Sequence, residues 1–385
     1  MEEWIKCPLG DILNFRRGHD LPKTSMTPGD IPVAGSNGII GFHNVDTPIS
    51  PCITIGRSGN VGTPYIYDKC WAHNTVLYID DHKGNDPRYL YYLLKTLPLA
   101  SFGGGSAVPT LNRNHIHPLE VVFCKDIELQ KKIAGILSKI DDKIELNRQI
   151  NDNLEQQAQA LYKSWFVDFE PFKDGKFEES EIGLIPEGWH VGKAEDFYEI
   201  NIGKTPPRKE HEWFTLDKSQ NIWVSISDLG SDGRFLFDSS EYLTDKAIQK
   251  YNIVLVPEDT VLLSFKLTIG RVGIAGTQLT TNEAIARFIT NSVNREYTYF
   301  LLKNFNYSKL GSTSSIATAV NSKIIKAMVV LMPCNECLLN FKKLVGPIID
   351  GIKKNEEEIL RLTKLRDTLL PKLMSGELKI NEIDC

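Results

Sequence analysis

The 385-residue chain lacks the features that mark secreted, membrane-spanning and nucleic-acid-coating proteins. Its seven cysteines are scattered and odd in number, which predicts a reducing cytoplasm rather than a disulfide framework. No stretch approaches about 18 consecutive apolar residues, so we expect no membrane span. The N-terminal segment has neither the basic nor the apolar region of a signal peptide, so we expect a cytoplasmic protein. The net charge of −5 argues against binding nucleic acid through bulk charge, but it allows a local basic surface.

A complete phosphate-binding loop is also missing, although GKT at 203–205 resembles the end of one. Such a loop needs an earlier glycine at a fixed spacing, so that backbone N–H groups can surround the phosphates. Tyr198 occupies that position, and Pro206 and Pro207 stand where the following helix should begin. Because proline removes N–H donors, the sequence argues against a nucleotide site at this point.

An internal repeat is the most informative feature that the chain does contain. Five pairs of segments align in the same order, and the shift between partners grows from 185 to 211 residues. The pairs are 7–22 with 192–207, 30–35 with 221–226, 57–62 with 265–270, 88–95 with 296–303, and 129–141 with 340–352. The collinear order indicates two copies of one unit, the second with 26 extra residues, most of them between 205 and 260.

Each copy is predicted to contain a mixed, strand-rich domain. The segments CITIGRSGNVGTPYIYD and TVLLSFKLTIGRVGIAG have short β-branched runs interrupted by glycines, which is typical of strands and tight turns. We expect each domain to end in an aromatic amphipathic helix, at about 86–97 and 294–305.

Each copy then continues into a predicted long helix with a coiled-coil seam. The apolar seam positions of the first helix are Ile133, Leu137, Ile140, Ile144, Leu154, Ala158, Leu161 and Trp165. Those of the second are Phe341, Val345, Ile348, Ile352, Ile359, Leu362, Leu365, Leu369 and Leu373. Both seams become polar in the middle, at Asn147 and Asn151 in one and near Asn355 in the other.

We expect the two long helices to pair with each other, because copies of one unit should present matching seams. A buried asparagine can fix the register of such a pair at some cost in stability. Helices of about 40 residues would form a rod of about 60 Å, since each residue adds about 1.5 Å. The alternative is two unrelated core helices.

Two similar domains on a rod suit a protein that recognises two sites at a set spacing on DNA. The candidate contact residues are basic and polar side chains of the glycine-rich loops, which can reach phosphates and base edges. In the first copy they are Arg16, Arg17, His19, Lys23, Arg57, Ser58, Asn60, Asn74, Thr110, Asn112 and Arg113. In the second they are Lys204, Arg208, Lys209, Ser225, Ser227, Lys266, Arg271, Asn282, Ser314, Thr318 and Asn321. Each residue taken singly could instead be a solvated loop side chain or a turn former.

Three motifs resemble the specificity subunits of type I restriction-modification systems. The run GKTPPRKEHEW…NIWVSISDLGSDG resembles the start of a target recognition domain in that family. The junction LYKSWFVDFEPF…SEIGLIPEGW resembles its link between central helix and second domain, and DTLLPKLMSGELKI resembles its C-terminal end. The resemblance covers essentially the whole chain, but the first copy departs from it, because FRRGHDLPKTSMTPGD replaces the GKTP run.

The resemblance implies an α+β fold with two pseudo-repeated mixed α/β target recognition domains and a pair of long antiparallel coiled-coil helices. The expected limits are 1–124 for the first recognition domain, 125–184 for the central helix and linker, 185–333 for the second domain and 334–385 for the C-terminal helix. It also implies recognition of a bipartite double-stranded DNA target, docking of two methyltransferase subunits, and restriction-translocase subunits in the full complex.

Catalysis is then expected in the partner subunits, with S-adenosylmethionine, ATP and Mg²⁺ bound there. The chain has no Asn/Asp-Pro-Pro-aromatic tetrapeptide of the kind that adenine methyltransferases use, and no carboxylate cluster typical of a nuclease. His115 and His117 would lie on one side of a strand, but no third metal ligand is evident. Cys334 and Cys337 form a lone CxxC, for which chance or a structural role is the simpler interpretation. The alternatives are a coiled-coil scaffold and a self-contained nucleotide-dependent nuclease.

Overall fold

Two compact units make up the chain. The computed structural model describes residues 4–104, 109–230, 233–289, 295–310 and 320–380. The first unit comprises Met1–Glu145 and Leu360–Cys385, and the second comprises Leu146–Ile359. Each unit therefore contains one copy of the repeat together with parts of both long helices.

The first unit is a mixed α/β domain built around three small sheets. A four-stranded antiparallel sheet has the order Asn14–Arg17, Val76–Asp81, Cys52–Gly56, Pro64–Tyr67. A three-stranded sheet has the order Gly38–His43, Ile31–Gly35, Trp71–Ala72. Trp4–Pro8 pairs with Glu120–Cys124. The short helices are Leu9–Ile12, Lys23–Ser25, Pro87–Thr96, Leu99–Phe102 and Arg113–Ile116.

The second unit repeats this plan with additions. Its larger sheet has the order Glu199–Ile202, Ile285–Ile289, Val261–Ser264, Val272–Ala275, Phe235–Leu236. Its smaller sheet has the order Phe214–Thr215, Tyr242–Leu243, Asn221–Val224, Thr280–Thr281. His190–Lys193 pairs with Val329–Met332, and Phe177–Ser180 forms a hairpin with Gly183–Pro186. The short helices are Ala194–Phe197, Glu170–Phe172, His211–Trp213, Asp228–Gly230, Asp245–Tyr251, Arg295–Asn304, Tyr307–Leu310 and Ser322–Lys326.

The structure confirms the internal repeat at the level of single hydrogen bonds. Gly62 N donates to the Gly56 carbonyl oxygen at 2.8 Å, and its counterpart, Gly270 N, donates to the Ser264 carbonyl oxygen at 3.0 Å. Both bonds close the loop between two antiparallel strands, at the shift of 208 residues that the sequence alignment gives. The predicted aromatic helices are also confirmed, at Pro87–Thr96 and Arg295–Asn304.

The glycine of the GKT tripeptide is explained by a close backbone approach. A Cβ atom on Gly203 would lie 2.0 Å from the carbonyl oxygen of Asn282 and 2.2 Å from that of Thr281. A Cβ atom on its counterpart, Gly18, would lie 2.0 Å from the carbonyl oxygen of His73. Glycine is required at both positions because any side chain would collide with the neighbouring backbone. Because both copies show the same close packing, the fold itself explains why this glycine is present.

The two long helices are Ile127–Phe166, called the central helix below, and Asn335–Ser375, called the C-terminal helix. In the first unit, Ile133 and Leu137 belong to one hydrophobic cluster with Leu370 and Leu373. The pairing is antiparallel there, because positions early in the central helix meet positions late in the C-terminal helix.

The second unit shows the same antiparallel pairing with larger side chains. Ala158 and Tyr162 share a cluster with Phe341 and Val345. The ring centroids of Tyr162 and Phe341 lie 6.4 Å apart. The predicted pairing of matching seams is confirmed in both units.

The predicted seam of the C-terminal helix is wrong at Leu365, because the side chain of this residue is 47% exposed. Its neighbour Arg366 points inward instead and forms an ion pair with Asp141 at 2.8 Å. Asp141 also accepts a hydrogen bond from the Tyr92 hydroxyl at 2.8 Å, and Lys95 lies 3.9 Å from it. This charged cluster takes the seam position that the apolar pattern assigned to Leu365.

A polar layer interrupts the helix pairing in the second unit, as the sequence predicted. Asn147 and Asn151 are each only 1% exposed. Asn147 Nδ2 donates to Glu358 at 2.8 Å, and Asn355 Nδ2 donates to Asn151 Oδ1 at 2.8 Å. These bonds satisfy the buried amides in one alignment of the helices, which penalises other registers.

A buried carboxylate links the strand-rich domain of the second unit to the C-terminal helix. The Glu356 carboxylate accepts hydrogen bonds from the backbone N–H groups of Arg234 and Phe235, at 2.8 and 2.7 Å. Burial raises the pKa of Glu356 above its ordinary value. The Arg234 guanidinium in turn lies 2.9 Å from Glu155 on the central helix.

The pKa of Glu155 is shifted in the opposite direction from that of Glu356. Burial raises its pKa, but hydrogen bonds from Lys303 and Tyr299 and the nearby cations outweigh burial, so the net pKa is lowered. Its ionised form is therefore stabilised in the folded protein. The Arg234 guanidinium pairs with Asp152 and Glu155, and these acids outweigh burial and raise its pKa above the ordinary value.

The close approach at Gly203 generates a stability prediction. We expect Gly203→Ala to lower the free energy of unfolding by about 1–3 kcal/mol or more, because the added methyl group overlaps two carbonyl oxygens. Urea denaturation of the purified protein measures this change. Gly351→Ala is the matched control, since its nearest neighbour would lie at an ordinary 3.7 Å and alanine favours a helix. Equal stability of the two variants would contradict the close-approach argument.

Candidate nucleic-acid interface

Four arginines line a single cleft in the first unit. The cleft has a volume of about 390 Å³. Its lining residues are Arg16, Arg17, Arg57, Leu77, Thr110, Leu111, Asn112 and Arg113. Six of these eight are candidate contact residues that the sequence predicted from three distant segments. The described residues that line the cleft carry four guanidinium groups and no carboxylate, and the exposed Asp20 lies outside that lining, 3.5 Å from Arg17. The cleft therefore favours an anion.

The fold brings these arginines together from separate elements. Arg16 and Arg17 end an edge strand of the four-stranded sheet, and Arg57 directly follows the strand Cys52–Gly56. Arg113 begins a short helix, and one of its guanidinium nitrogens donates to the Phe15 carbonyl oxygen at 3.1 Å. The backbone contact anchors the Arg113 side chain beside the strand that carries Arg16 and Arg17.

Asn112 and its counterpart Asn321 have the same structural role in the two copies. The Asn112 side chain accepts a hydrogen bond from Asn114 N at 3.0 Å and so caps its short helix. The Asn321 side chain caps the equivalent helix by accepting from Lys323 N at 3.0 Å and Ile324 N at 3.1 Å. Both amides satisfy N–H groups that a helix start leaves without intrahelical partners.

The other candidates of the first copy lie outside the lining of the arginine cleft. The His19 ring nitrogen is 3.4 Å from the Tyr78 hydroxyl, and the Asn74 amide donates to Asp20. Ser58 forms an isolated β-bridge with Thr110, which places it next to the cleft. The remaining two are exposed: Lys23 in a short helix and Asn60 in the loop after Arg57.

Lys204 and Arg208 line a pocket of about 510 Å³ in the second unit. The Lys204 ammonium donates to the carbonyl oxygens of Tyr251 and Asn252, at 3.2 and 3.1 Å. These are the last residue and the C-cap of the helix Asp245–Tyr251, so the lysine neutralises the negative end of that helix. Glu283 also lines the pocket, where it accepts a hydrogen bond from Thr205.

Arg208 is held by a bidentate ion pair and by two aromatic rings. Its two terminal nitrogens donate to the two carboxylate oxygens of Glu241 at 2.9 and 2.8 Å. The guanidinium carbon lies 4.2 Å from the ring centroid of Phe214 and 4.6 Å from that of Trp223. The hydrogen bonds that Arg208 donates to Glu241 raise the pKa of Arg208 above its ordinary value. The planar arginine is therefore preorganised, and about half of its side chain remains exposed.

A second group of candidates in this unit surrounds the turn after the strand Asn221–Val224. Ser225 and Ser227 have hydroxyl oxygens 2.7 Å apart, and Ser225 N donates to Asp228 at 2.8 Å. An Arg271 guanidinium nitrogen donates to the Ile226 carbonyl oxygen at 2.7 Å. Asn282 N donates to the Val224 carbonyl oxygen at 3.0 Å, so these residues share one neighbourhood.

The remaining candidates of the second copy are in different situations. Lys209 and Lys266 are exposed in loops. Ser314 and Thr318 lie outside the described residues. Leu267, which the sequence analysis did not select, is 101% exposed at the tip of the loop that follows Lys266. Its only sequence signal is that it aligns with a glycine, Gly59, in the first copy.

The predicted placement of His115 and His117 on one strand is wrong. His115 lies in the helix Arg113–Ile116, and His117 is its C-cap. His117 Nε2 accepts a hydrogen bond from Phe15 N at 3.1 Å. Burial and the nearby Arg113 and Lys83 charges lower the pKa of His117, which suits a neutral, accepting ring. Asn112 and its cap explain why this segment is helical rather than extended.

The CxxC motif has a helix-capping contact. Cys337 N donates to Cys334 Sγ at 3.4 Å, in the first turn of the C-terminal helix. Among the described residues, no three His, Cys, Asp or Glu side chains are grouped so as to hold a metal ion. No helix in the described ranges is long and apolar enough to cross a membrane.

Comparisons with known proteins agree with this architecture. The type I restriction enzyme MjaIX specificity subunit of Methanocaldococcus jannaschii is 31% identical over 310 residues, which cover 77% of this chain and 70% of the relative. The type I restriction enzyme HindI specificity subunit of Haemophilus influenzae is 27% identical over 315 residues, which cover 66% and 68%. The crystal structure of a type I restriction-modification S subunit from M. genitalium has the same fold, with a TM-score of 0.62, 17% identity and 96% coverage of both chains.

The family match includes both copies of the repeat. Residues 1–156 and 186–334 match the family described as the type I restriction modification DNA specificity domain. The first matched segment contains the arginine cleft, and the second contains the pocket of Lys204 and Arg208. Because the match spans well over half of the chain, this protein belongs to the type I restriction modification DNA specificity domain family.

Proposed function

We propose that this chain is the DNA sequence-recognition subunit of a type I restriction-modification complex. Each unit recognises one half of a bipartite double-stranded target. The paired helices set the distance between the two halves and bind the methyltransferase subunits. The duplication carries the proposal, because a chain with two copies of one recognition domain is suited to two sites on one linear ligand.

The arginine cleft supports DNA as that ligand. Arg16, Arg17, Arg57 and Arg113 come from three segments and meet in one cavity. Guanidinium groups bind phosphate with paired, charge-assisted hydrogen bonds. We assign to this cleft the backbone phosphates of the half-site that the first unit recognises. In the second unit, we assign base and phosphate contacts to the loops that carry Arg208, Lys266 and Arg271.

Partners and cofactors follow from the same proposal. Two methyltransferase subunits bind the helices, and restriction-translocase subunits complete the assembly. S-adenosylmethionine, ATP and Mg²⁺ act in those partners, while this chain contributes recognition. Support comes from the names of the relatives, which are specificity subunits of type I restriction enzymes.

Methylation mapping tests the proposed function directly. We expect the chain, assembled with its methyltransferase, to direct methylation of DNA to one bipartite sequence with an unspecified gap. Sequencing of modified bases on genomic DNA measures the target. Methylation without sequence preference would refute the proposal and favour a scaffold. ATP hydrolysis by the isolated chain would instead favour a self-contained nuclease.

The arginine cleft predicts how DNA binding depends on ionic strength. Arg17→Ala should weaken DNA binding by the assembled complex and reduce the slope of log affinity against log salt concentration by about 0.9, the value for one phosphate contact. Fluorescence anisotropy over a salt series measures the slope. Lys69→Ala is the matched control, because Lys69 is similarly exposed and does not line the cleft. Identical slopes for both variants would exclude Arg17 as a phosphate contact.

The helix pair generates a third expectation, about target spacing. Insertion of four residues after Glu145 and four before Leu360 should lengthen both helices by about 6 Å. The two insertion points face each other, because Asn147 pairs with Glu358 in the antiparallel arrangement. We expect the gap in the methylated target to widen by about one or two base pairs, since base pairs stack about 3.4 Å apart. An unchanged gap would show that the helices do not set the spacing.

A further inference from the structure

Leu267 has a conformation and an exposure that folding does not favour. Its φ angle is +59°, in the left-handed region that costs free energy for every residue with a Cβ atom. Its side chain is 101% exposed, so no packing contact within the described protein compensates for that cost. A large apolar side chain in water gains nothing from burial either. The residue is therefore unfavourable on two separate counts.

The loop around Leu267 is tied down rather than loose. Ser264, which is fully buried, accepts a hydrogen bond from Gly270 N at 3.0 Å, and its hydroxyl donates to the Thr268 carbonyl oxygen at 2.6 Å. Arg271 N donates to the same hydroxyl at 3.0 Å. These contacts fix both ends of the loop, so Leu267 is presented to solvent at a defined position.

The equivalent loop in the first unit shows that the fold itself does not need leucine. At the shift of 208 residues, Leu267 corresponds to Gly59, which has a φ of +90° and nothing within 4 Å of an added Cβ. The surroundings also correspond, because Gly62 lies against Leu99 in one copy and Gly270 against Tyr307 in the other. Glycine adopts this φ without strain, so the second copy carries leucine at an added cost.

The position of the loop indicates what Leu267 contacts. In the first unit, the equivalent loop begins with Arg57, which lines the arginine cleft. In the second unit, Leu267 follows the exposed Lys266, and Arg271 closes the loop beside the turn of Ser225 and Ser227. An exposed apolar side chain next to a cation suits DNA, where phosphates lie beside the apolar surfaces of bases.

We propose that Leu267 is a specificity-determining residue that contacts the apolar surface of a base in the half-site recognised by the second unit. This inference rests on the proposed function. The apolar surface is either the methyl group of a thymine in the major groove or the face of a base at a partly unstacked step. Both sources involve the same contact, a leucine side chain that loses water against a base.

Methylation mapping of the assembled complex with Leu267→Gly tests the inference. Because the Leu267 side chain is fully exposed among the described residues and glycine suits its φ, the variant should melt at the temperature of the wild type or above it. We expect relaxed preference at one or more positions in one half of the target, with methylation of the original target about tenfold slower, in the range of a single base contact. The other half of the target should be unchanged.

Leu184→Ser is the matched control, because Leu184 is 61% exposed in the same unit on a hairpin that carries Glu178, Glu179 and Glu181. This variant should keep the wild-type target and rate. An unchanged target and rate for Leu267→Gly would overturn the inference while leaving the proposed function intact. Absence of any bipartite target with the wild-type chain would instead refute the proposed function.

Two modified duplexes then separate the two sources of apolar surface. Replacement of thymine by deoxyuracil in the mapped half-site removes the methyl group. If Leu267 contacts that methyl group, the replacement should weaken DNA binding by the wild type but not by Leu267→Gly. If a base is unstacked, 2-aminopurine in the half-site should become brighter on binding the wild type only. Identical responses of the two proteins to both duplexes would overturn the apolar contact.

Discussion

Each recognition domain shares its hydrophobic core with the long helices, and the rest of the structure depends on this constraint. In the second unit, Tyr162 and Phe341 of the helices belong to one cluster with Phe288 of the large sheet. In the first unit, Leu137 of the central helix belongs to one cluster with Ile53 of the sheet. A domain that turned on its helix would open its own core, at a cost of several buried side chains. The orientation of each recognition surface on its helices is therefore a property of the core.

Much of this fold could be predicted because its signals are local and periodic. The repeat, the aromatic helices and the seams follow from spacing, and the buried pair Asn147 and Asn151 is visible as a polar break in the seam. The apolar pattern misplaces Leu365 because its neighbour Arg366 pairs with Asp141, which is distant in sequence. A seam is predicted from apolar residues alone, but an ion pair that satisfies a partly buried acid can occupy a seam position in place of an apolar residue.

The candidate site could be predicted as a set of residue types but not as an arrangement. Strand pairing brings Arg16 and Arg57 to the same cleft, and the spacing of these residues in the sequence does not predict that arrangement. The partners of Lys204 and Arg208 are Tyr251 and Glu241, which lie in the stretch where the second copy has its extra residues. The first copy therefore offered no template for them. Leu267 is not predicted from the sequence, because the residue types typical of DNA contacts are basic and polar and leucine is apolar.

The pairing of Arg208 with Glu241 has a consequence for the ion atmosphere of the two half-sites. Arg208 has a bidentate carboxylate partner at 2.8 Å, whereas the described lining of the arginine cleft includes no carboxylate and Arg17 pairs with the exposed Asp20 at the longer distance of 3.5 Å. A phosphate that enters the cleft releases condensed cations to the solvent as it binds guanidinium groups such as those of Arg57 and Arg113, which are held by neutral backbone carbonyl oxygens. A phosphate that approaches Arg208 must compete with Glu241. DNA held by both units would therefore be released from the two halves of its target unequally as salt rises. The second half would depend more on shape and base contacts, and the first would be governed by the entropy of released ions.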